Sequence, residues 1–238
     1  EGSLSDWRTE FEKFTAEHDL VSSAVEENGK VILTVHGKAA HAMEPDDGLN
    51  AGVMLALFLK EHLTGDGQVY TELIADKFYG DTRGKSFGLA FADEASGDTT
   101  FNAGIMRFEK AKGGKVEVSM RYSISYPFDE KMADFQVEGF SMNIHSNSQP
   151  HHVDENDLFI KTLQGAYEKQ TGDKAELLAI GGGTYARVMD KGVAFGMLFP
   201  GEKDVAHQLD EFVDINNLTK AVAIYAEAIY QLACNKKE

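Results

Sequence analysis

Residues 181–213 read GGGTYARVMDKGVAFGMLFPGEKDVAHQLDEFV. Three glycines, Gly181 to Gly183, are followed by Thr184 and then Arg187. An apolar run, Val193 to Phe199, is broken by Gly196 and turns on Pro200-Gly201. The segment ends on His207 beside Gln208, Asp210 and Glu211. Glycines on either side of an apolar run mark a close backbone approach, and the run itself reads as a strand delivering side chains at its end. A neutral imidazole with acidic neighbours just past such a turn has the chemistry of a metal ligand.

Working outward, residues 157–172 (DLFIKTLQGAYEKQTG) form an amphipathic helical pattern that stops at Gly172. Residues 214–233 (DINNLTKAVAIYAEAIYQLA) read as a closing helix with Asp214 or Asn217 near its N-terminus. Its apolar positions Ala221, Ile224, Ala228, Ile229 and Leu232 are expected to cover one face. The polar stretch 146–157, with its single proline, reads as a domain junction. The chain therefore divides into residues 1–148 and 149–238.

In the first part, residues 5–19 place Trp7, Phe11 and Phe14 at helical spacing, with Ser5 or Asp6 as N-cap. Residues 21–36 alternate as a hairpin turning on Asn28-Gly29. A loop of small and turn-forming residues, GKAAHAMEPDDGLNAG, leads into an apolar helix over 50–63. A second helix is predicted over Tyr70–Phe78 and a short apolar segment over Phe87–Phe91. Residues 99–109 and 115–127 read as paired strands, turning on KGGK at Lys112 to Lys115. A short helix over 129–137 and a last strand over 140–148 complete the order β-β-α, then β-β-α-β. That order predicts an α+β layer with helices on one face of a sheet.

Composition narrows the function classes. A formal charge of −16 argues against nucleic acid and against an anionic membrane surface as partners. The single cysteine, Cys234, excludes an internal disulfide and fits a reducing, cytoplasmic compartment. No apolar run reaches the length of a bilayer span. There is no G-x-S-x-G elbow, no dinucleotide fingerprint and no Walker loop.

In order and spacing, GGGTYAR, FG, FPG and AHQ-x-DE resemble the C-terminal signature of bacterial PepV-type dipeptidases, in the aminoacylase, carboxypeptidase and carnosinase group of dinuclear zinc peptidases. The resemblance covers nearly all of residues 5–233. It implies a ferredoxin-like lid over 1–148, followed by the C-terminal part of an α/β catalytic domain over 149–238. The chain opens on EGSLSDW, and of a processed chain, a cloned segment or a piece of a longer protein, the resemblance points to the last.

The same resemblance assigns roles. His207 matches a ligand of one of two zinc ions, and Asp210 or Glu211 could orient its ring. The remaining ligands and the general base lie, in that family, ahead of the region matched here, so the chain by itself is expected to be inactive. His41, in HGKAAHAMEP, matches a lid histidine that donates a hydrogen bond to the developing oxyanion. On residue type alone it would read as an exposed loop histidine. His36 has no such match, and Asn50 reads as a helix cap. Arg121 matches an arginine that binds the substrate's terminal carboxylate through its planar fork. Arg187 is a second carboxylate or oxyanion candidate, with Gly182, Gly183 and Thr184 offering backbone donors beside it. The dense cluster His151-His152-x-Asp154-Glu155 reads as junction, because neighbouring side chains on an extended chain point to opposite faces. The implied substrate is a dipeptide and the implied whole enzyme a monomer. The rival readings are an N-acyl amino acid or succinyl-diamino acid deacylase and, in another class, a non-catalytic binding or dimerisation module.

Overall fold

The computed structural model describes residues 4–206 and 210–234. The chain forms two compact units, Glu1–Pro150 and His151–Glu238. No described helix is long and apolar enough to cross a membrane.

The first unit opens on α1 (Leu4–Glu17). The helix starts at Leu4, so Ser5 and Asp6 lie within its first turn rather than at its cap. Phe11 is fully buried, edge-on to Phe58 at 5.1 Å, and Trp7 meets the same ring at 6.2 Å. Strands β1 (Val21–Glu27) and β2 (Lys30–His36) pair antiparallel from Val21↔His36 to Glu27↔Lys30. Asn28 and Gly29 both have positive φ, at 52° and 69°. That is the two-residue turn whose twist matches a hairpin.

Asn50 caps α2 (Ala51–Leu59), its Oδ1 accepting from the Val53 N–H at 3.2 Å. Its Nδ2 donates to the Ala103 carbonyl at 2.9 Å, which ties the start of the helix to a strand 53 residues away. Helix α3 spans Asp66–Phe78, four residues longer at its N-terminus than predicted. Gly65, at φ 62°, starts it with no side-chain cap. Two short strands, β3 (Ala92–Asp93) and β4 (Gly97–Asp98), carry no hydrophobic alternation and were not expected from the sequence.

The long ribbon is β5 (Thr100–Glu109) with β6 (Gly113–Arg121). Its turn lies at Lys110–Lys112, closed by Lys112 N–H to the Glu109 carbonyl at 2.8 Å. KGGK is therefore not the turn. Gly113, at φ 82°, begins β6 and Gly114 continues it. A glycine in the left-handed region just after a tight turn is how a three-residue hairpin loop rejoins its ladder. Gly114 is required for another reason: a Cβ there would run into the ring of Tyr70.

Strand β6 ends at Arg121, and residues 122–127 turn away rather than extending it to 127. Helix α4 covers Phe128–Ala133, shorter than predicted. The strand expected over 140–148 is not formed. That stretch carries only a bridge between Val137 and Phe140, because its apolar residues have no strand to pair with. Among the described residues the strands form three two-stranded ladders, where the sequence predicted one sheet. The fold is α+β: helices α2 and α3 pack on each other, and α3 on both strands of the long ribbon. Val53, Ala56, Tyr70, Ile74, Phe78, Leu89, Phe101 and Ala103 form that core.

In the second unit, α5 (Leu158–Thr171) is capped by Asp157, which accepts from the Phe159 N–H at 2.8 Å, and ends on Gly172 at φ 78°. It packs on α6 (Ile215–Cys234). Asp214 caps α6, accepting from Asn216 and Asn217. Asn217, Ala221, Ile224 and Ala228 are buried, but Ile229 and Leu232 are exposed. The buried stripe is thus narrower than predicted. The apolar run 193–199 is irregular rather than a strand, since no described strand of this unit lies beside it. It does turn as read, with Glu202 N–H on the Phe199 carbonyl at 3.1 Å and Gly201 at φ 86°.

Candidate functional site

His41 lies in a loop closed at its base by reciprocal bonds between Lys38 and Leu49, at 3.1 and 2.9 Å. Within the loop, the Glu44 N–H bonds the His41 carbonyl at 2.9 Å. The Met43 N–H donates to His41 Nδ1 at 3.1 Å. A ring nitrogen that accepts a hydrogen bond favours the tautomer with its proton on Nε2, where it can be donated.

The tip of the loop is fastened to the neighbouring loop 81–88. Asp46 follows Pro45 in a 3₁₀ turn and accepts from the Thr82 hydroxyl and from the Arg83 guanidinium. The Thr82 hydroxyl, and with it Arg83, holds the Asp46 carboxyl below the usual carboxylate range. That neighbouring loop is fixed in turn. Asp81, buried, accepts from the N–H groups of Arg83 and Ser86 at 3.0 and 2.7 Å. The Thr82 carbonyl accepts from the Phe101 N–H at 2.8 Å, and Arg83 reaches the Thr99 carbonyl at 3.5 Å.

Arg121 is half-buried at the last position of β6, paired with Thr100. The clamp on the His41 loop thus grips Thr99 and Phe101, the two neighbours of the residue opposite Arg121. The structure brings the His41 loop and Arg121 to one end of the ribbon. A second clasp secures the chain just beyond Arg121. Asp93 accepts from the hydroxyl and N–H of Ser125, at 2.7 and 3.0 Å, and from those of Ser96, at 2.8 and 2.6 Å. The Ser125 hydroxyl, followed by these other donors, holds the Asp93 carboxyl far below the usual range.

In the second unit, residues 181–184 are irregular and Tyr185–Val188 forms a 3₁₀ turn. Arg187 is exposed, and its guanidinium folds back over Gly183, where a Cβ would lie 2.8 Å from Nη1. Thr184 has an extended backbone, and its carbonyl accepts from the Arg187 N–H at 3.4 Å. Gly182 is half-buried beside them. Gly183, Thr184 and Arg187 therefore form one local cradle. His207 lies outside the described residues, and Asp210, just after it, has φ 59°. Among the described residues no three His, Cys, Asp or Glu side chains stand close enough to hold a metal ion. His151 instead contacts the Gly192 carbonyl through Nε2 at 2.6 Å, a tie between segments.

Asp46, Thr82, Arg83, Asp93 and Ser125 were not singled out in the sequence. Pro45 and the Asp81–Gly84 turn residues signal loops. A contact between positions 37 residues apart has no local signature.

The family model for peptidase family M20/M25/M40 matches residues 8–231. The chain belongs to this family. It is 43% identical over 217 residues to "Putative dipeptidase YtjP" of Bacillus subtilis (strain 168), covering 90% of this chain and 47% of that protein. It is 37% identical over 235 residues to "Putative dipeptidase" of Staphylococcus epidermidis (strain ATCC 12228 / FDA PCI 1200), covering 97% and 50%. "Putative dipeptidase SSP1012" of Staphylococcus saprophyticus is 36% identical over 235 residues, with the same coverage of 97% and 50%. The chain spans about half the length of these curated relatives.

Proposed function

We propose that this M20/M25/M40 peptidase chain is part of a dipeptidase that hydrolyses the amide bond of short peptides with a metal-activated water. Unit Glu1–Pro150 serves as a ferredoxin-like lid and unit His151–Glu238 as the C-terminal part of the catalytic domain. The observation that carries the chemistry is the Met43 N–H on His41 Nδ1, an arrangement that favours the tautomer able to donate from Nε2. A neutral imidazole donor suits a tetrahedral intermediate, whose oxygen gains negative charge and so accepts a stronger hydrogen bond than the ground-state carbonyl does.

The other residues bind and orient. Arg121, at the ribbon end shared with the His41 loop, engages the free carboxylate of the dipeptide through paired N–H donors. Arg187, lying over Gly183, provides a second positive contact, with backbone donors of Gly182, Gly183 and Thr184 beside it. A requirement for a free carboxylate confines cleavage to the peptide bond next to the substrate's C-terminus. Zinc would supply Lewis acidity and lower the pKa of a bound water in the whole enzyme. The described residues do not make a zinc site, and His207 is the one ligand we assign to this chain. Such a whole enzyme would work as a cytoplasmic monomer.

The test is dipeptide hydrolysis by the natural full-length protein, with and without a chelator. Metal-dependent cleavage of dipeptides, with this 238-residue chain inactive alone, is the expected result. Cleavage of N-acyl or N-succinyl substrates in place of dipeptides would make it a deacylase. No hydrolysis of either, with metal supplied, would leave a binding or dimerisation module.

A further inference from the structure

We propose that Asp46 is a positioning residue for His41, acting through Thr82 and Arg83. The inference rests on the donor role given to His41 above. The loop around His41 is held at its base by the Lys38–Leu49 bonds, and short-range turns run through it. Side-chain bonds between its tip and loop 81–88 run through Asp46, whose two carboxylate oxygens take separate donors. Oδ1 accepts from the Thr82 hydroxyl and Oδ2 from the Arg83 guanidinium. Both donors are themselves fixed, through Asp81, Thr99 and Phe101.

Rigidity passes from Asp46 back to the ring in three steps. Pro45 precedes Asp46 and locks its own φ, and it restricts Glu44, which sits at φ −125° and ψ 60°. The Glu44 N–H then holds the His41 carbonyl. Met43, the residue between, is thereby placed so that its N–H meets Nδ1. Releasing Asp46 detaches the Pro45–Asp47 turn from loop 81–88 and so loosens the seat of the Met43 N–H against Nδ1. An exposed ion pair contributes little stability alone. Here the Asp46 side chain is 53% exposed but the Arg83 side chain only 26%, and the latter is already oriented on the Thr99 carbonyl. The pair therefore acts mainly on geometry.

The experiment reads the His41 ring directly. Long-range proton–nitrogen spectra of the ¹⁵N-labelled chain should show unprotonated Nδ1 and protonated Nε2. In Asp46→Ala, the two nitrogens should move toward the averaged values of a free imidazole, while the Val21–His36 hairpin resonances stay in place. Asp46→Glu should restore the bias in part, and Arg83→Ala should lose it where Arg83→Lys keeps some. Thr82→Val removes one bond only and serves if Asp46→Ala does not fold. In the natural full-length enzyme, Asp46→Ala should lower kcat by roughly ten- to a hundredfold with little change in KM. An unchanged tautomer in a folded Asp46→Ala or Thr82→Val chain would overturn the proposal, whatever happens to kcat. If the full-length protein hydrolyses no dipeptide, the functional reading fails, and the ring spectra still decide whether Asp46 sets the imidazole.

Discussion

Gly114, His41 and Asp93 each depend on a contact made at atomic distance. A methyl at position 114 meets the ring of Tyr70, which is itself buried with its hydroxyl on the Lys115 carbonyl at 2.9 Å. Gly114→Ala should therefore destabilise the chain by about 1–3 kcal/mol, read from urea unfolding, because the ring has no room to retreat. His41→Ala in the natural full-length enzyme should lower kcat about 10²- to 10³-fold with KM nearly unchanged, since the bond it removes strengthens in the transition state. A raised KM with kcat unchanged would place His41 in ground-state binding instead. For Asp93 the sign follows from its donors. Its folded pKa lies below the unfolded value of about 3.9, so the stabilisation is complete above that value and is lost as pH falls through the folded one. The urea midpoint of the native chain should fall more steeply than that of Asp93→Asn between about pH 5 and about pH 2. Parallel curves would show that the Asp93 charge adds no stability to the clasp.

At the scale of elements, the sequence was most legible where a local rule decides the outcome. Asn28-Gly29 requires two positive φ angles and forms the hairpin; Asp157 and Gly172 start and stop α5. Asn50 reads as a cap and is one. Its second bond, to Ala103, separates two effects in one side chain. Asn50→Ala should cost about 1–2 kcal/mol, while Asn50→Asp keeps the cap and loses only the donor, giving a smaller loss in urea unfolding. Apolar runs without a partner were misread. Residues 140–148 and 193–199 have strand-like composition, but a strand exists only when another strand supplies its hydrogen bonds. Ile229 and Leu232 follow the helical period of α6, yet periodicity cannot say how wide a neighbour is. Of the candidate site, His41 and Arg121 are candidates through the family motif, and their placement at one ribbon end has no local signature in the sequence. The ladder pairing with Thr100 places Arg121, and Asp46, Thr82 and Arg83, whose partners are distant in sequence, tie the His41 loop beside it.

At the scale of the whole molecule, the second unit leaves large apolar side chains of α6 in water. Ile215 is 77% exposed, Val222 58% and Ile229 65%, along the side of α6 away from its buried stripe. Contiguous patches of this sort promote association. Light scattering across a concentration series should show the apparent mass of this chain rising, and Val222→Lys with Ile229→Lys should suppress the rise. A mass that stays constant in the native chain would count against that surface being adhesive. The long ribbon has a different consequence. Being two strands wide, each strand turns alternate amides toward its partner and the rest away from it. In heavy water the inward amides should keep their protons and the outward ones lose them quickly. Phe101 is the exception, its N–H held by the Thr82 carbonyl rather than by β6. Its rate of deuteration is thus a gauge of loop 81–88, and it reports on the support of His41 with no substrate present.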